Sequence, residues 1–338
     1  MPWRETAADL NRALAEECCI VPGPDGNLYG IFTPPAPEAA PANRCVVIVS
    51  RPRYEYHRLS VEIARRLATV GFSCFRFDYH GWGDSEGETV PLEIDKPYTE
   101  DILAVIKYLR KTLGQQRVIV WGRCFDALTA IAAFDGEADV IDGLVFIASP
   151  VTRGMASDAV FNWRNVVRMG LSPQRLRALL FSGLFRRRAY RAFKRVMRGT
   201  LGLKTADQLS SLMPVFEENF QRMVRVKARA LFIYGQEDGE LQSFEIAERH
   251  LIDKLPAPAR ARIEIAKVPG RVHWITDVNA HLELVTRSVA WISTLHPAYA
   301  RATAPAVHAE EVHPAQDTHP EKIVAPGLVA STSDMSSR

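Results

Sequence analysis

Cysteine is scarce in this 338-residue chain: Cys18, Cys19, Cys45, Cys74 and Cys124 are all there is. They form no C-x-x-C pair and are too few for a disulfide framework at this length, so cross-links are not the source of stability. Cys45 and Cys74 sit inside apolar runs and read as core residues, which leaves Cys124 in a setting of its own. No uninterrupted apolar run approaches the roughly 18 residues of a membrane-spanning helix. The opening Met-Pro-Trp-Arg-Glu-Thr lacks the basic start and apolar stretch of a signal peptide, and a cytoplasmic location is expected. No third glycine follows Gly81-x-Gly83 at dinucleotide spacing, and no histidine-carboxylate cluster has metal-ligand spacing, so neither cofactor nor metal is expected.

Excess charge is also missing. A net charge of +3 gives no reason to expect nucleic-acid binding. The distribution is uneven, however: residues 151–204 carry thirteen Lys/Arg against the single acid Asp158. That stretch alone is about +12, screened beyond roughly 8 to 10 Å at physiological salt.

What is present is the material of a full core, with 47% hydrophobic and 24% charged residues. Residues 17–33 read as an opening hairpin around Gly23-Pro24-Asp25-Gly26. Strands are expected at Val46–Ser50, Phe72–Asp78, Arg117–Trp121, Leu144–Ile147, Ala230–Tyr234 and Ile263–Val268. Helices are expected at Leu59–Val70, Tyr98–Leu113, Ser243–Leu255 and Asn279–Leu295. Alternating strands and amphipathic helices predict an α/β fold, a mostly parallel, doubly wound sheet covered on both faces. Because the sheet resumes after the basic stretch, 151–222 reads as an insertion, with the core at 1–150 and 223–295. From 296 to 338 the composition turns to Ala, Pro, His, Thr and Ser without period, which reads as a disordered tail. His308, His313 and His319 are spaced irregularly between prolines there and fit a solvated tail better than a metal site.

Residues 118–128, Val-Ile-Val-Trp-Gly-Arg-Cys-Phe-Asp-Ala-Leu, are the most informative. An apolar run breaks at Gly122, presents a thiol at Cys124, and continues as a helix former. This is the G-x-S-x-G strand-turn-helix with cysteine in place of serine: the nucleophile on a strained turn, the following N–H aimed at a developing oxyanion. Cys124 is thus the candidate nucleophile and Phe125 N–H the first oxyanion donor. A thiol nucleophile needs a base, and the base an orienting carboxylate, in the chain order nucleophile, acid, histidine. His273, just past the strand Ile263–Val268, is the candidate base, and Asp238, just past Ala230–Tyr234, the candidate orienter. Glu237 and Glu240 are nearby alternatives. The second oxyanion donor is expected from the loop Arg51-Pro52-Arg53-Tyr54-Glu55-Tyr56-His57-Arg58; proline has no N–H, which favours Arg53. Arg51, Tyr54 and His57, with Asp126 and Trp274, are the candidate substrate contacts.

These residues, with the turn Phe77-Asp78-Tyr79-His80-Gly81-Trp82-Gly83-Asp84-Ser85, resemble the α/β-hydrolase superfamily over about residues 17 to 295. The stretch Arg51 to Arg58, the strand end Arg76-Phe77-Asp78-Tyr79 and the cysteine elbow are similar to exosortase-associated hydrolases near the serine aminopeptidase-like group. The resemblance implies an eight-stranded sheet, a triad at its C-terminal edge and a helical cap between strands 6 and 7. Two departures stand out: cysteine for serine, and Asp126 where the family usually has glycine. A carboxylate so close to the thiol disfavours the thiolate unless it turns away or pairs with a cation such as Arg123. Ala127 is a candidate for the close helix-strand packing that glycine would give.

A thiolate nucleophile forms a thioester, which amines and thiols attack more readily than an oxygen ester. The expected function is therefore acyl transfer through an acyl-cysteine, as an acyltransferase or thioesterase on an acyl thioester or activated ester. The basic insertion could dock an acyl carrier protein or coenzyme A, or form a solvated face over apolar Leu179, Leu180, Phe181, Leu184 and Phe185, or meet anionic lipid. Competing readings are an ester or amide hydrolase serving exopolysaccharide or secondary metabolism, and a catalytically silent binding module.

Overall fold

The computed structural model describes residues 15–51, 53, 58–90, 93–94, 96–152, 212–275 and 278–298. Most of the basic insertion, the expected contacts Tyr54 and His57, and the tail from residue 299 onward lie outside the described residues.

Eight strands form one sheet: β1 (Glu17–Gly23), β2 (Gly26–Thr33), β3 (Cys45–Val49), β4 (Ser73–Phe77), β5 (Val118–Arg123), β6 (Ile141–Ile147), β7 (Arg229–Gly235) and β8 (Ile263–Val268). Their order is β1-β2-β4-β3-β5-β6-β7-β8. Strand β2 runs antiparallel to both β1 and β4, and every other pairing is parallel. The helices are α1 (Leu59–Thr69), α2 (Thr99–Lys111), α3 (Phe125–Ala132), α4 (Pro214–Arg225), α5 (Glu240–Ala247), α6 (Ala257–Arg260) and α7 (Val278–Ser293).

The central strands are apolar without alternation because both of their faces are covered. Every residue of β3 is buried, Cys45, Val47 and Val49 entering one core and Val46 and Ile48 the other. The same division runs through β5, with Val118 and Val120 on one face and Ile119 and Trp121 on the other. Helices α2 to α5 cover the first face through Ile102, Leu128, Phe216 and Phe244. Helices α1 and α7 cover the second through Leu59, Ile63, Leu67, Leu284, Val285 and Ile292, at spacings that bring them onto one stripe of each helix. Burying one such aliphatic side chain contributes about 1.5–3 kcal/mol, so the two layers together hold the sheet rigid beneath the loops at its C-terminal edge.

Several boundaries differ from expectation, three of them for reasons visible in the contacts. Strand β5 runs through Gly122 to Arg123, because Gly122 and Arg123 still pair with Phe146 and Ile147 of β6. Helix α5 begins at Glu240, not at 243, and passes into a π-helical turn at Glu248–Ile252. Helix α4 spans the expected edge of the insertion at 222 and seats Phe216, Phe220 and Met223 in the core. Thr152 and Leu212, which flank the stretch outside the described residues, form an antiparallel bridge. Met213 N–H donates to Val151 O at 2.8 Å beside it, so the chain on either side of 153–211 is joined between β6 and β7.

Candidate functional site

Cys124 follows the last residue of β5 and precedes the first of α3, with φ 57° and ψ −131°. A side chain held at positive φ stores on the order of 1–3 kcal/mol, tolerated where the surroundings fix it. Here Cys124 N–H donates to Ile147 O at 2.8 Å and Cys124 O accepts from Ala127 N–H at 3.2 Å. Phe125 opens the helix, so its N–H has no carbonyl one turn back to bond and is left for an anion. The turn is tight enough to demand glycine at 122: a Cβ there would lie 2.5 Å from Asp126 O and 2.8 Å from Ala127 Cα. Ala127 provides the small neighbour that this crossing needs.

His273 comes off β8 through a short loop, and its Nε2 lies 3.3 Å from Cys124 Sγ. On the other side of the ring, Nδ1 is 3.0 Å from Glu240 Oε1 and 3.1 Å from Ala148 O. Two acceptors at Nδ1 require the proton there and leave Nε2 for the thiol. Burial opposes the imidazolium, but hydrogen bonds and charge from Cys124 and Glu240 outweigh it and push the His273 pKa up to about 10. Burial likewise acts against the Glu240 carboxylate, yet its bond to His273 holds it below the usual range.

The expected orienter, Asp238, does not face the ring. Its carboxylate accepts from three backbone N–H groups: Gly235 at 2.9 Å, Val272 at 3.1 Å and His273 at 3.1 Å. Asp238 is therefore the tie that folds the β7 and β8 loops together, and the carboxylate at Nδ1 belongs to Glu240. Burial raises the Asp238 pKa against the effect of those N–H bonds. A second tie comes from Arg123, whose guanidinium donates to the carbonyls of Val272 and His273. Elbow and histidine loop are thus joined directly.

Arg53 is also placed differently from expectation. Its N–H donates to Asp78 Oδ1 at 2.7 Å, and its guanidinium binds Asp78 and, at 2.6 Å, Asp84. Asp78 is fully buried, and an uncompensated carboxylate there is costly, so Arg53 is held as its counter-ion. Its backbone N–H is spent there and is not open to an oxyanion.

Asp126 faces Arg51 rather than the thiol. Its Oδ1 accepts from Arg51 Nε at 2.5 Å and from Tyr79 Oη at 3.1 Å. The cation is therefore Arg51, with Arg123 a weaker influence, and burial raises the pKa of Asp126 against both. Trp274 is 63% exposed, with its ring centroid 5.3 Å from that of His273, at the edge of the reacting group. Among the described residues no three His, Cys, Asp or Glu side chains converge as a metal site would require.

Sequence reading paired the thiol with the imidazole and named Glu240, together with Glu237, only as an alternative to Asp238. The signal for Glu240 was its position as the first residue of a helix, where an acid meets the positive end of the helix dipole.

Comparison with known proteins places this geometry. Residues 40–275 match the family model described as Serine aminopeptidase, S33. The chain is 34% identical over 103 residues to the quorum-quenching protein AidA of Acinetobacter baumannii, covering 29% of this chain and 33% of that protein. It is 34% identical over 62 residues to the lysophosphatidylserine lipase ABHD12 of Danio rerio, covering 18% of this chain and 15% of the relative. The chain thus spans a third or less of these curated relatives. An esterase of Pyrococcus furiosus is similar at 15% identity with a TM-score of 0.49, over 86% of this chain and 96% of that one. With its eight-stranded sheet, its elbow and a family match running from before β3 to the histidine loop, this chain belongs to the serine aminopeptidase S33 family of α/β-hydrolase-fold enzymes.

Proposed function

We propose that this protein carries out acyl transfer through an acyl-Cys124 intermediate, with His273 moving the proton and Glu240 orienting His273. The observation that carries the reading is the line Cys124 Sγ, His273 Nε2, then Nδ1 and Glu240 Oε1, at 3.3 Å and 3.0 Å. The His273 pKa, raised to about 10, holds an imidazolium 3.3 Å from Cys124 Sγ, the cation a sulfur nucleophile needs beside it. The Cys124 thiolate attacks the acyl carbon; the C–S bond forms as the carbonyl pair moves to oxygen, beside Phe125 N–H. Collapse expels the leaving group, which takes the proton from His273 Nε2. Neutral His273 then removes a proton from the acceptor, which adds to the thioester. The second collapse releases the product and returns the Cys124 thiolate beside a protonated His273. Glu240 keeps Nδ1–H engaged throughout, holding ring and tautomer.

Family membership supports an ester-type substrate, and the thiolate supports activated esters or acyl thioesters as donors. The resemblance to exosortase-associated hydrolases supports transfer to water, in exopolysaccharide or secondary metabolism, as the alternative. The charge of the basic insertion supports docking of an acyl carrier protein or coenzyme A. Intact-protein mass spectrometry after brief incubation with a panel of acyl thioesters and activated esters tests the proposal. One acyl increment in the wild type, absent in Cys124→Ala, is expected. If no adduct forms and iodoacetamide labels Cys124 no faster than a free thiol, the chain is a binding module and the proposal fails.

A further inference from the structure

An acyl-transfer site of this kind needs two donors for its oxyanion, and neither Pro52 nor Arg53 in the loop after β3 offers a backbone N–H as the second. Pro52 has no N–H, and Arg53 N–H is bonded to the buried Asp78. We propose that the Arg51 guanidinium is the second electrophile, carrying the oxyanion with Phe125 N–H in place of a β3-loop amide; this rests on the acyl-cysteine reading above.

The guanidinium is fixed before any substrate arrives. Asp126 Oδ1 holds Nε at 2.5 Å, and the carboxylate is itself held by Tyr79 Oη. The guanidinium carbon lies 4.8 Å from the ring of Phe125, 5.5 Å from Trp82 and 5.8 Å from Tyr79, within cation–π range of all three. The Phe125 ring belongs to the very residue whose N–H opens the oxyanion site. Among the described residues only Nε of Arg51 is hydrogen-bonded, which leaves the four N–H groups on its two Nη atoms without a described partner while the side chain is just 10% exposed. Burial works against the guanidinium charge, and Asp126 outweighs it and raises the Arg51 pKa. A fixed, poorly solvated cation with free donors beside the nucleophile is what a developing oxyanion requires. It also accounts for Asp126 in a position where glycine is usual: the carboxylate anchors the arginine from behind.

Two reactions of the same sulfur separate this role from its rivals. Alkylation by iodoacetamide needs only the thiolate, whereas acylation by the neutral donor p-nitrophenyl acetate also builds an oxyanion. Rates of both are measured by intact mass on the full chain, for wild type, Arg51→Met and Arg51→Lys, with circular dichroism confirming the fold. In Arg51→Met, acylation is expected to fall about 10²–10³-fold and alkylation less than about tenfold, with Arg51→Lys recovering part of the acylation rate. Equal loss in both reactions assigns Arg51 to thiolate stabilisation or packing and overturns the proposal, as does an unchanged acylation rate. Loss confined to a donor bearing a carboxylate, such as p-nitrophenyl hemisuccinate, assigns Arg51 to substrate charge and also overturns it. If Arg51→Met does not fold, Arg51→Lys decides by the same ratio of the two rates. Absence of any acyl adduct in the wild type sinks the acyl-enzyme reading itself, a result distinct from those above.

Discussion

Replacing Glu240 by glutamine should damage catalysis without unfolding the protein, and replacing Asp238 by asparagine should do the reverse. The His273 pKa stands at about 10 instead of 6.5, which at ~1.36 kcal/mol per tenfold is about 5 kcal/mol favouring the imidazolium. That balance is struck against burial, with Cys124 and Glu240 as the two anions responsible, and the ring is only 13% exposed, so solvent screens it weakly. Losing Glu240 removes one of the ring's two anionic partners and lowers the His273 pKa. In Glu240→Gln, kcat/KM for an activated ester at pH 7 should fall about tenfold or more, a part of the roughly 10²–10⁴ that a positioned proton-transfer group supplies. Its melting temperature should move by only a few degrees. Asp238→Asn takes away the anionic acceptor of three backbone N–H groups, costing about 1–3 kcal/mol of stability. The folded fraction should keep kcat/KM within about fivefold, since the amide oxygen can retain part of the loop tie. An Asp238→Asn variant that folds normally yet loses activity, beside an active Glu240→Gln, would refute the assignment.

Gly122→Ala should abolish soluble expression or cost at least ~1–3 kcal/mol, because the methyl would meet the Asp126 carbonyl at 2.5 Å and the Ala127 backbone, neither of which can swing away; a normal melting curve contradicts this. Arg123→Met should free the histidine loop from the elbow, lowering kcat more than KM and increasing amide exchange at 270–274, as hydrogen-exchange mass spectrometry would show. Stability should also depend on pH with a defined sign. The folded-state pKa of His273 is raised, so its contribution is complete below pH 6.5 and is lost as pH climbs through about 10. Urea unfolding of Cys124→Ala, where Glu240 is the ring's remaining anion, should show stability declining from pH 6.5 to 9.5; a flat profile would contradict the Glu240–His273 coupling.

Much of the fold was legible because it rests on period and burial, which leave a trace in every residue of a strand. The run at 118–121 and its counterparts at 45–49 and 230–234 are apolar at successive positions, and only a sheet covered on both faces asks for that. The strand-turn-helix at Cys124 was legible for a local reason: Gly122, Cys124 and a helix former occupy positions set by backbone geometry alone. Strand ends were less so, since Gly122 and Arg123 pair with β6 through their backbone whatever their side chains. The loops that complete the site were read to the right elements and to the wrong atoms. Arg53 was chosen as an amide donor because proline could not be one; that its N–H is drawn away by Asp78, 25 residues on, is a tertiary fact with no local mark.

The exchange of roles between Asp238 and Glu240 has a physical logic that extends to the other acids here. A short carboxylate in a tight turn directly after a strand lies within reach of the turn's own N–H groups, and Asp238 is drawn to Gly235 three residues back. A longer carboxylate on the first turn of the next helix has its nearest amides behind it and open space ahead, where His273 stands. Asp78 and Asp126 follow the same division of demand: each is buried, and each takes the arginine nearest to it, Arg53 and Arg51. Charge compensation of two buried aspartates therefore fixes the Arg51 and Arg53 side chains after β3. The arrangement is built from the outside inward: Asp238, Asp78 and Asp126 are spent on backbone and arginine partners, and Cys124, His273 and Glu240 meet between them.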